Sequence, residues 1–418
     1  MFRFVHAADL HLDSPLRGLD LKESAPRAVI REAPRRALDA LVRLCLDEEV
    51  DFLLLAGDIY DGDWKDFATG QYFRQQMRRL GDTQVILIRG NHDAANKMTR
   101  TLPLPKNVRV LAGTAAETHR IDSIRVAIHG RSFQDRETRE NLVREYPPPI
   151  AGWFNIGLLH TSLAGAGTAH DTYAPCSEEQ LVNKEYHYWA LGHIHQRRVV
   201  CAAAPAIVFP GNIQGRHIRE DGPKGAYLVA VDDDGGVDLQ FRRLDVVRWE
   251  AIDCAADPNH DRDKVLEAAV GAVRELVASE EDRLIVVRYR ITGPSHAHMV
   301  LQARSGEATE GLRELLRDEY GERVWLESVR FDTTPPVRAT AELDDATAEL
   351  NAVIEEFASD PQHLMAVAET LTALQDKLPA PLRNGDEPMN LTDPEWLKQL
   401  LGRVLPVLAD AGSPGDRP

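Results

Sequence analysis

The stretch FRFVHAADLH at residues 2–11 is typical of a buried β-strand that ends in polar side chains. Similar apolar runs recur at DFLLLAGD (51–58), QVILIRGN (84–91), IRVAIHG (124–130), FNIGLLH (154–160), YWALGH (188–193), AIVFPG (206–211), AYLVAV (226–231) and VDLQFRRL (237–244). Helical patterns lie between several of them, at about 27–48, 66–80 and 177–185. This alternation predicts an α/β layered domain over residues 1–245. Such sheets commonly bind ligands at the carboxyl ends of their strands, where the polar residues lie.

Two further segments follow this domain. Residues 246–333 alternate strand and helix patterns in the order βαβαβ, and TTPPV then indicates a linker. Residues 334–418 are expected to form the linker and an acidic helical tail. Its last helix has an apolar stripe from Trp396 to Leu405, which is expected to pack on the chain itself, on a partner or on a second copy.

Composition excludes several classes of protein. The 418 residues contain 49 basic and 66 acidic side chains, a net charge of −17, which argues against a sequence-blind nucleic-acid coat. The 4 cysteines are far apart, which argues against a disulfide scaffold and a cysteine zinc site and fits a reducing cytoplasm. No apolar run approaches the ~18 residues of a membrane span, so a cytoplasmic protein without a membrane segment is expected.

Five short segments carry side chains that bind hard metal ions. They are Asp9-x-His11, Gly57-Asp58, Gly90-Asn91-His92-Asp93, His160, and Gly192-His193-Ile194-His195. Carboxylate, imidazole and amide groups together suit Mn²⁺, Fe²⁺ or Zn²⁺. In an extended D-x-H or H-x-H pair the two side chains point to one side, so each pair is expected to serve one cavity.

The ordered set of segments resembles the calcineurin-like metallophosphoesterase superfamily. Within it, FVHAADLHLDSPL (4–16) and FPGNIQGRHIREDGPKGAYLV (209–229) resemble DNA repair exonucleases of the SbcD/YhaO-like type. The resemblance in sequence covers residues 1–245. The module at 246–333 resembles the family only in the order of its strands and helices. The resemblance implies two central mixed β-sheets flanked by helices, a small α/β cap domain and a helical tail.

The resemblance also implies a site with two divalent metal ions. Mn²⁺ is the expected ion, with Fe²⁺, Zn²⁺ and Mg²⁺ left open. The implied ligands are Asp9, His11 and His195 for the first ion, Asn91, His160 and His193 for the second, and Asp58 as the bridge between them. His92 would stand beside the leaving group, oriented by Asp93. The loop GDIYDGDW (57–64) lacks the second histidine of some double-strand-break nucleases, so no second catalytic histidine is assigned.

By the same resemblance, the substrate is DNA and the reaction is phosphodiester hydrolysis, by an exonuclease or an endonuclease, in DNA repair. The cap would form one wall of the DNA cleft, and Arg131, Arg197, Arg216 and His217 are the candidate substrate contacts. A coiled-coil ATPase of the SbcC/YhaN-like type is the implied partner, and a homodimer is also compatible with the resemblance.

Two alternatives stay open on the sequence alone. The first is a phosphodiesterase of the same superfamily that acts on a cyclic nucleotide or another nucleotide, because the metal motifs do not distinguish it from a nuclease. The second is a DNA-binding subunit that is active only with its ATPase partner, which the low basic content favours.

Overall fold

The computed structural model describes residues 1–14, 26–61, 67–95, 103–163, 173–280, 282–335, 345–379, 382–383 and 388–401. They divide into two compact units. The first comprises Met1–Glu250 and Glu280–Val286, and the second comprises Ala251–Ser279 and the described residues from Val287 onward. Across these ranges no helix is both long and apolar enough to cross a lipid bilayer.

The described residues form strands and helices in alternation. The strands are β1 (Phe2–Ala7), β2 (Phe52–Ala56), β3 (Gln84–Ile88), β4 (Val108–Val110), β5 (Glu117–Ile121), β6 (Val126–Gly130), β7 (Phe154–His160), β8 (Tyr188–Gly192), β9 (Arg198–Cys201), β10 (Ala206–Phe209), β11 (Gly225–Val231), β12 (Val237–Arg243), β13 (Val247–Ala255), β14 (Leu284–Pro294) and β15 (Val324–Thr334). The α-helices are α1 (Arg27–Asp47), α2 (Phe67–Arg79), α3 (Asn91–Ala95), α4 (Glu178–Val182), α5 (Arg262–Ala272), α6 (Arg274–Ser279), α7 (His298–Ala303), α8 (Ser305–Tyr320), α9 (Asp345–Ser359) and α10 (Pro361–Gln375). Residues 394–401 are also helical.

Two six-stranded mixed sheets form the first unit. Their strand orders are β12-β11-β1-β2-β3-β4 and β5-β6-β7-β8-β10-β9. In the first, β1 to β4 are parallel and β11 and β12 complete the sheet in antiparallel pairs. In the second, β6, β7, β8 and β10 are parallel, and β5 and β9 are antiparallel edges. This is the α/β architecture with two mixed sheets that the sequence predicted.

An apolar core fills the space between the two sheets. Phe4 of β1 stacks on Phe52 of β2 with ring centroids 4.9 Å apart, and its ring meets the edge of Tyr188 in β8 at 5.2 Å. The central strands are buried on both faces, as runs such as FLLLA and YWALG require of parallel strands. Helices α1 and α2 cover the other face of the first sheet. The core therefore fixes the carboxyl ends of β1, β2, β7 and β8 close together.

The remaining strands form a three-stranded sheet in the order β13-β14-β15, and most of its residues belong to the second unit. Its elements follow the expected strand–helix–strand–helix–strand order, and each helical connection is divided into two helices. Helix α8 packs against α5 and β15, and the Tyr289 hydroxyl of β14 donates to the carbonyl of Ala269 in α5 at 2.9 Å.

In its described part, the acidic tail begins with helices α9 and α10, which separate at Asp360. The Asp360 side chain accepts a hydrogen bond from the Gln362 N–H at 2.8 Å, and a proline begins α10, where it is tolerated. Leu364 and Ala368 of α10 pack with Leu397 of the last described helix. Trp396, Leu397 and Leu401 of the predicted stripe thus pack on their own chain, whereas Leu400 is exposed. Residues 402–405 of that stripe lie outside the described ranges.

Candidate metal centre

The loops that follow β1 and β2 are joined by backbone hydrogen bonds. The Asp9 N–H donates to the Gly57 carbonyl at 3.0 Å, and the His11 N–H donates to the Asp58 carbonyl at 3.1 Å. Asp9, His11 and Asp58 have φ values of 52°, 42° and 52°. The expectation of an extended Asp9-x-His11 pair was therefore wrong, because both residues adopt left-handed backbone. That conformation costs about 1–3 kcal/mol per residue and persists where its surroundings impose it, as at functional sites.

Three side chains from the ends of β1 and β8 form the first group of ligands. Asp9, His11 and His195 each offer a ligand atom, and these atoms all lie within 4.8 Å of one another. The Nε2 atoms of His11 and His195 are 3.0 Å apart. The structure thus brings together the three residues that the family resemblance assigned to the first ion.

A second group lies on the β2 and β7 side. Asp9, Asp58 and His160 also offer ligand atoms within 4.8 Å of one another. Oδ2 of Asp58 is 3.4 Å from His160 Nε2 and 3.9 Å from His11 Nε2. The same carboxylate oxygen therefore faces one histidine of each group, which is the geometry that a bridging ligand needs.

Asn91 and His193 occupy different positions around the second group. The amide oxygen of Asn91 is 3.0 Å from His160 Nε2. The His193 ring lies edge-on to the His160 ring with centroids 5.2 Å apart, and its backbone N–H donates to the Asp9 carboxylate. His193 has a φ of 98°, so the His193–His195 pair is not an extended pair either. All seven proposed ligands lie at one end of the first unit.

The partner of His92 differs from the one expected. His92 Nδ1 lies 3.0 Å from Oδ1 of Asp61. Oδ2 of Asp61 accepts a hydrogen bond from the Ser14 hydroxyl at 2.7 Å. Asp93, the expected orienting residue, accepts backbone N–H groups of Ile59, Tyr60 and Gly90 instead. Asp93 thus braces the loop around Asp58, while Asp61 orients the His92 ring.

The predicted substrate contacts are mostly engaged within the protein. Arg131 is buried, and its guanidinium donates to the Gly113 carbonyl at 3.0 Å and to Glu145 at 2.6 Å. The Arg197 guanidinium lies 4.2 Å from the centroid of the Phe241 ring. His217 has a side chain that is 38% exposed, with Nε2 at 3.8 Å from Glu220. Arg197 and His217 are thus reachable from solvent, whereas Arg131 is buried.

Arg216 and His195 both contact a carboxylate that the sequence analysis did not assign. Nδ1 of His195 lies 2.7 Å from Oε1 of Glu220, and Nη2 of Arg216 lies 2.7 Å from the same oxygen. Glu220 and Asp61 are the two acidic residues missed. In the sequence, Asp61 could have been noticed as the third residue after Asp58. Glu220 could have been noticed as the last residue of the stretch GRHIRE (215–220).

Burial and neighbouring charges perturb the titration of these groups. Burial raises the pKa of Asp9 to about 7. Burial would lower the pKa of His160, but the charge of Asp58 and its hydrogen bond raise it to about 9. For His92 the effect of burial is likewise outweighed by the hydrogen bond to Asp61, so its pKa is raised. A raised pKa keeps a proton available on His92 near neutral pH.

The residues present fit a pair of divalent cations. Asp9 and Asp58 are 0% and 1% exposed, and carboxylates so deeply buried are charged only beside cations, such as bound metal ions. Nδ1 of His160 lies 2.9 Å from the Ala56 carbonyl, to which it donates, so Nε2 is left as the ligand atom. Oxygen and nitrogen donors without sulfur suit Mg²⁺, Mn²⁺, Fe²⁺ or Zn²⁺.

Comparison with protein families gives two matches along the chain. Residues 2–197 match the calcineurin-like phosphoesterase family. Residues 249–334 match the middle domain of the metallophosphoesterase YhaO. The first match contains all of the residues assigned to the two groups of ligands.

Individual proteins give the same picture. The chain is 33% identical over 342 residues to an uncharacterized metallophosphoesterase, YhaO, of Bacillus subtilis (strain 168), covering 79% of this chain and 81% of that protein. It is 30% identical over 106 residues to one subunit of the nuclease SbcCD of the same organism, covering 24% of this chain and 25% of that protein. The match to the crystal structure of TT1561 of Thermus thermophilus covers 57% of this chain and 98% of that chain at 13% identity, with a TM-score of 0.33.

Proposed function

Because the chain belongs to the calcineurin-like metallophosphoesterases, in the branch that carries the YhaO middle domain, we propose that it hydrolyses DNA phosphodiester bonds with two divalent metal ions. The observation that carries the proposal is the position of Asp58 Oδ2, 3.4 Å from His160 Nε2 and 3.9 Å from His11 Nε2. A carboxylate oxygen that faces both groups of ligands is suited to hold two ions side by side.

The residues would divide between the two ions as follows. Asp9, His11 and His195 hold one ion, Asn91, His160 and His193 hold the other, and Asp58 bridges them. When bound, such a pair supplies Lewis-acid polarisation of the phosphodiester and lowers the pKa of the attacking water. Manganese is the proposed metal, since these hard donors accept it and the site contains no sulfur ligand.

His92 carries the proton that the leaving sugar oxygen needs. Its Nδ1–H donates to Asp61, which leaves Nε2 as the nitrogen that can give up a proton, and the side chain is 27% exposed. After His92 has given up the Nε2 proton, its Nδ1–H still donates to Asp61. A positioned general acid of this kind contributes about 10²- to 10⁴-fold to a hydrolysis rate.

DNA is proposed as the substrate because one relative bears the name of a nuclease subunit. Because that relative is one subunit of a larger nuclease, we also propose a partner protein for this chain. The proposed partner is a coiled-coil ATPase of the SbcC/YhaN-like type. Val353 of α9 and Met365 of α10 are 57% and 56% exposed, so they offer apolar contacts to such a partner. The cap at residues 246–333 as a wall of a DNA cleft, the homodimer and the cytoplasmic location stay predictions.

A small nucleotide substrate is the second candidate, and one observation favours it. Arg131 donates to Glu145 and Arg216 donates to Glu220, so two of the three predicted arginine contacts are already paired with carboxylates. The third, Arg197, is exposed and lies over the Phe241 ring. With a net charge of −17, binding of a long polyanion would depend on other residues, on the metal ions or on a partner.

The decisive experiment compares substrates and one pair of variants. Wild type, Asp58→Asn and the exposed-carboxylate control Asp238→Asn are assayed with Mn²⁺ on end-labelled single- and double-stranded DNA, cyclic nucleotides and bis-p-nitrophenyl phosphate. We expect DNA cleavage by wild type and the control, and a loss of at least about 100-fold in Asp58→Asn, the scale of losing one transition-state-stabilising group.

The other outcomes separate the alternatives. Cleavage of cyclic nucleotides without cleavage of DNA would establish the small-substrate enzyme. Cleavage of DNA that begins only when the ATPase partner is added would establish a partner-dependent subunit. Wild-type rates in Asp58→Asn would exclude the proposed centre.

A further inference from the structure

We propose that Glu220 is a positioning residue that presents Nε2 of His195 to a divalent cation, a role that rests on the metal site proposed above. Glu220 lies in a short 3₁₀ turn, Ile218–Glu220, between β10 and β11. It is 25 positions from His195 in the chain and none of the proposed ligand segments contains it.

The Glu220 carboxylate is buried and fully used. Its exposure is 7%. Oε1 accepts hydrogen bonds from His195 Nδ1 and Arg216 Nη2, each at 2.7 Å. Oε2 accepts from Asn212 Nδ2 at 2.9 Å and from the Arg216 backbone N–H at 2.8 Å. Arg216 Nε adds a longer contact to each oxygen, at 3.2 and 3.3 Å. Each oxygen therefore has at least two donors, and the NH₂ group of a neutral amide at this position would face donors in either orientation.

This contact decides which nitrogen of His195 is available. Nδ1 of His195 lies 2.7 Å from Oε1 of Glu220 and 3.1 Å from Nη2 of Arg216. Because the carboxylate gives the shorter contact and only accepts hydrogen bonds when ionised, Nδ1 carries the hydrogen. Nε2 is then left with its lone pair, and it is the atom that faces His11 Nε2 at 3.0 Å. A carboxylate on the far nitrogen also fixes the ring orientation and makes the ligating nitrogen more basic.

Arg216 links this carboxylate to the other side of the centre. Its Nη2 contacts Glu220, and its Nη1 lies 3.9 Å from Oδ2 of Asp61, the residue that orients His92. The guanidinium compensates the buried charge of Glu220, and its planar fork holds the carboxylate in one orientation. Arg216 was predicted to bind substrate, and its position assigns it instead to holding Glu220 and Asp61 in register.

A purely structural role for Glu220 makes a different prediction from a positioning role. A buried carboxylate that only stabilises its loop would affect folding and leave metal affinity unchanged. Glu280 offers the matched control, because it is 2% exposed and is held by Arg248 at 3.1 Å and Arg283 at 2.7 Å. Both of these arginines also contact Asp245, which is not among the proposed metal ligands.

The test is a calorimetric titration of Mn²⁺ into the full-length, chelator-treated protein. We expect Glu220→Gln to weaken Mn²⁺ binding by about 10- to 100-fold, the usual cost of losing such a supporting contact, and Glu280→Gln to lower the melting temperature with unchanged Mn²⁺ affinity. Wild-type affinity in a folded Glu220→Gln variant would overturn the inference. An absence of Mn²⁺ binding by wild type would overturn the metal site itself, and with it the inference.

The hydrogen position on His195 gives a second readout. Long-range ¹H–¹⁵N spectra of metal-free, histidine-labelled protein distinguish Nδ1–H from Nε2–H imidazole, and the His195 signal is identified by its absence in His195→Gln. We expect Nδ1–H in wild type and in Glu280→Gln, and an altered protonation pattern in Glu220→Gln. The Nε2–H form in wild type would contradict the proposed role.

Discussion

The Nε2 atoms of His11 and His195 lie 3.0 Å apart, although 184 positions separate the two residues in the chain. Two ring nitrogens at this distance require a proton or a cation between them. Because Nδ1 of His195 donates to Glu220, its Nε2 is an acceptor in the neutral ring. The pair therefore provides one wall of a cation site, with Asp9 as the neighbouring carboxylate.

Divalent metal should stabilise the fold through this pair. Binding to the native state alone contributes about 2.7 kcal/mol when the free ion is at 100 times its Kd. We expect Mn²⁺ to raise the melting temperature of wild type in differential scanning calorimetry, and a chelator to reverse the effect. His195→Gln should lose most of the shift, while the remote control His363→Gln on α10 should keep it. An equal shift in all three proteins would mean that Mn²⁺ binds elsewhere.

Removal of the proton donor should matter most for a poor leaving group. His92→Gln removes the proton donor, so we expect about 10²- to 10⁴-fold slower hydrolysis of a DNA phosphodiester. Bis-p-nitrophenyl phosphate, whose leaving group needs no proton, should lose much less. Single-turnover rates on both substrates measure the difference.

Asp61→Asn should show the same dependence on the leaving group, in a weaker form. The Asp61 carboxylate holds Nδ1 of His92 at 3.0 Å and raises its pKa. An amide at this position would weaken both effects, so the DNA rate should fall more than the bis-p-nitrophenyl phosphate rate. Equal losses on the two substrates would show that Asp61 supports binding and not proton transfer.

Much of this site could be predicted from the sequence, since its ligands follow buried apolar runs. Asp58, His160 and His193 stand at or just after strand ends, which the core fixes at one edge of the two sheets. The left-handed backbone of Asp9 and His11 could not be predicted, because it depends on hydrogen bonds to the β2 loop. Local sequence does not encode a conformation that a distant loop imposes.

The partners of the catalytic groups were harder to predict than the ligands. Asp61 is 31 positions from His92, and Glu220 is 25 positions from His195. Acidic residues are frequent in this chain, so a single Asp or Glu carries little signal without the fold.

The sequence did not predict the short strands β4, β5 and β9, because their half-exposed residues lack the apolar run of a central strand.

Gly57→Ala should damage the metal site more than a comparable glycine substitution elsewhere. A Cβ at Gly57, which has a φ of 92°, would lie 2.5 Å from His160 Nδ1. Gly81 has a φ of 61° and nothing within 4 Å of its Cβ position, so Gly81→Ala carries the backbone strain alone. We expect both variants to lose stability, and only Gly57→Ala to lose Mn²⁺ affinity in a calorimetric titration. Equal Mn²⁺ affinities would show that His160 tolerates displacement.

Stability should fall on the acid side because of His6, which is buried away from the metal ligands. Burial lowers the pKa of His6 to about 3 from 6.5. The unfolded chain therefore binds a proton below pH 6.5 that the folded protein excludes until about pH 3. This difference removes about 2–3 kcal/mol from the free energy of unfolding between pH 7.5 and pH 4.5.

The variant His6→Asn tests this prediction. Asparagine retains a polar group near the Tyr188 hydroxyl, which lies 3.0 Å from Nδ1 of His6, but it does not titrate. Urea unfolding at the two pH values should thus show a smaller loss for His6→Asn than for wild type, whereas the exposed control His363→Asn should match wild type. A loss in His6→Asn as large as that of wild type would assign the acid sensitivity to other groups.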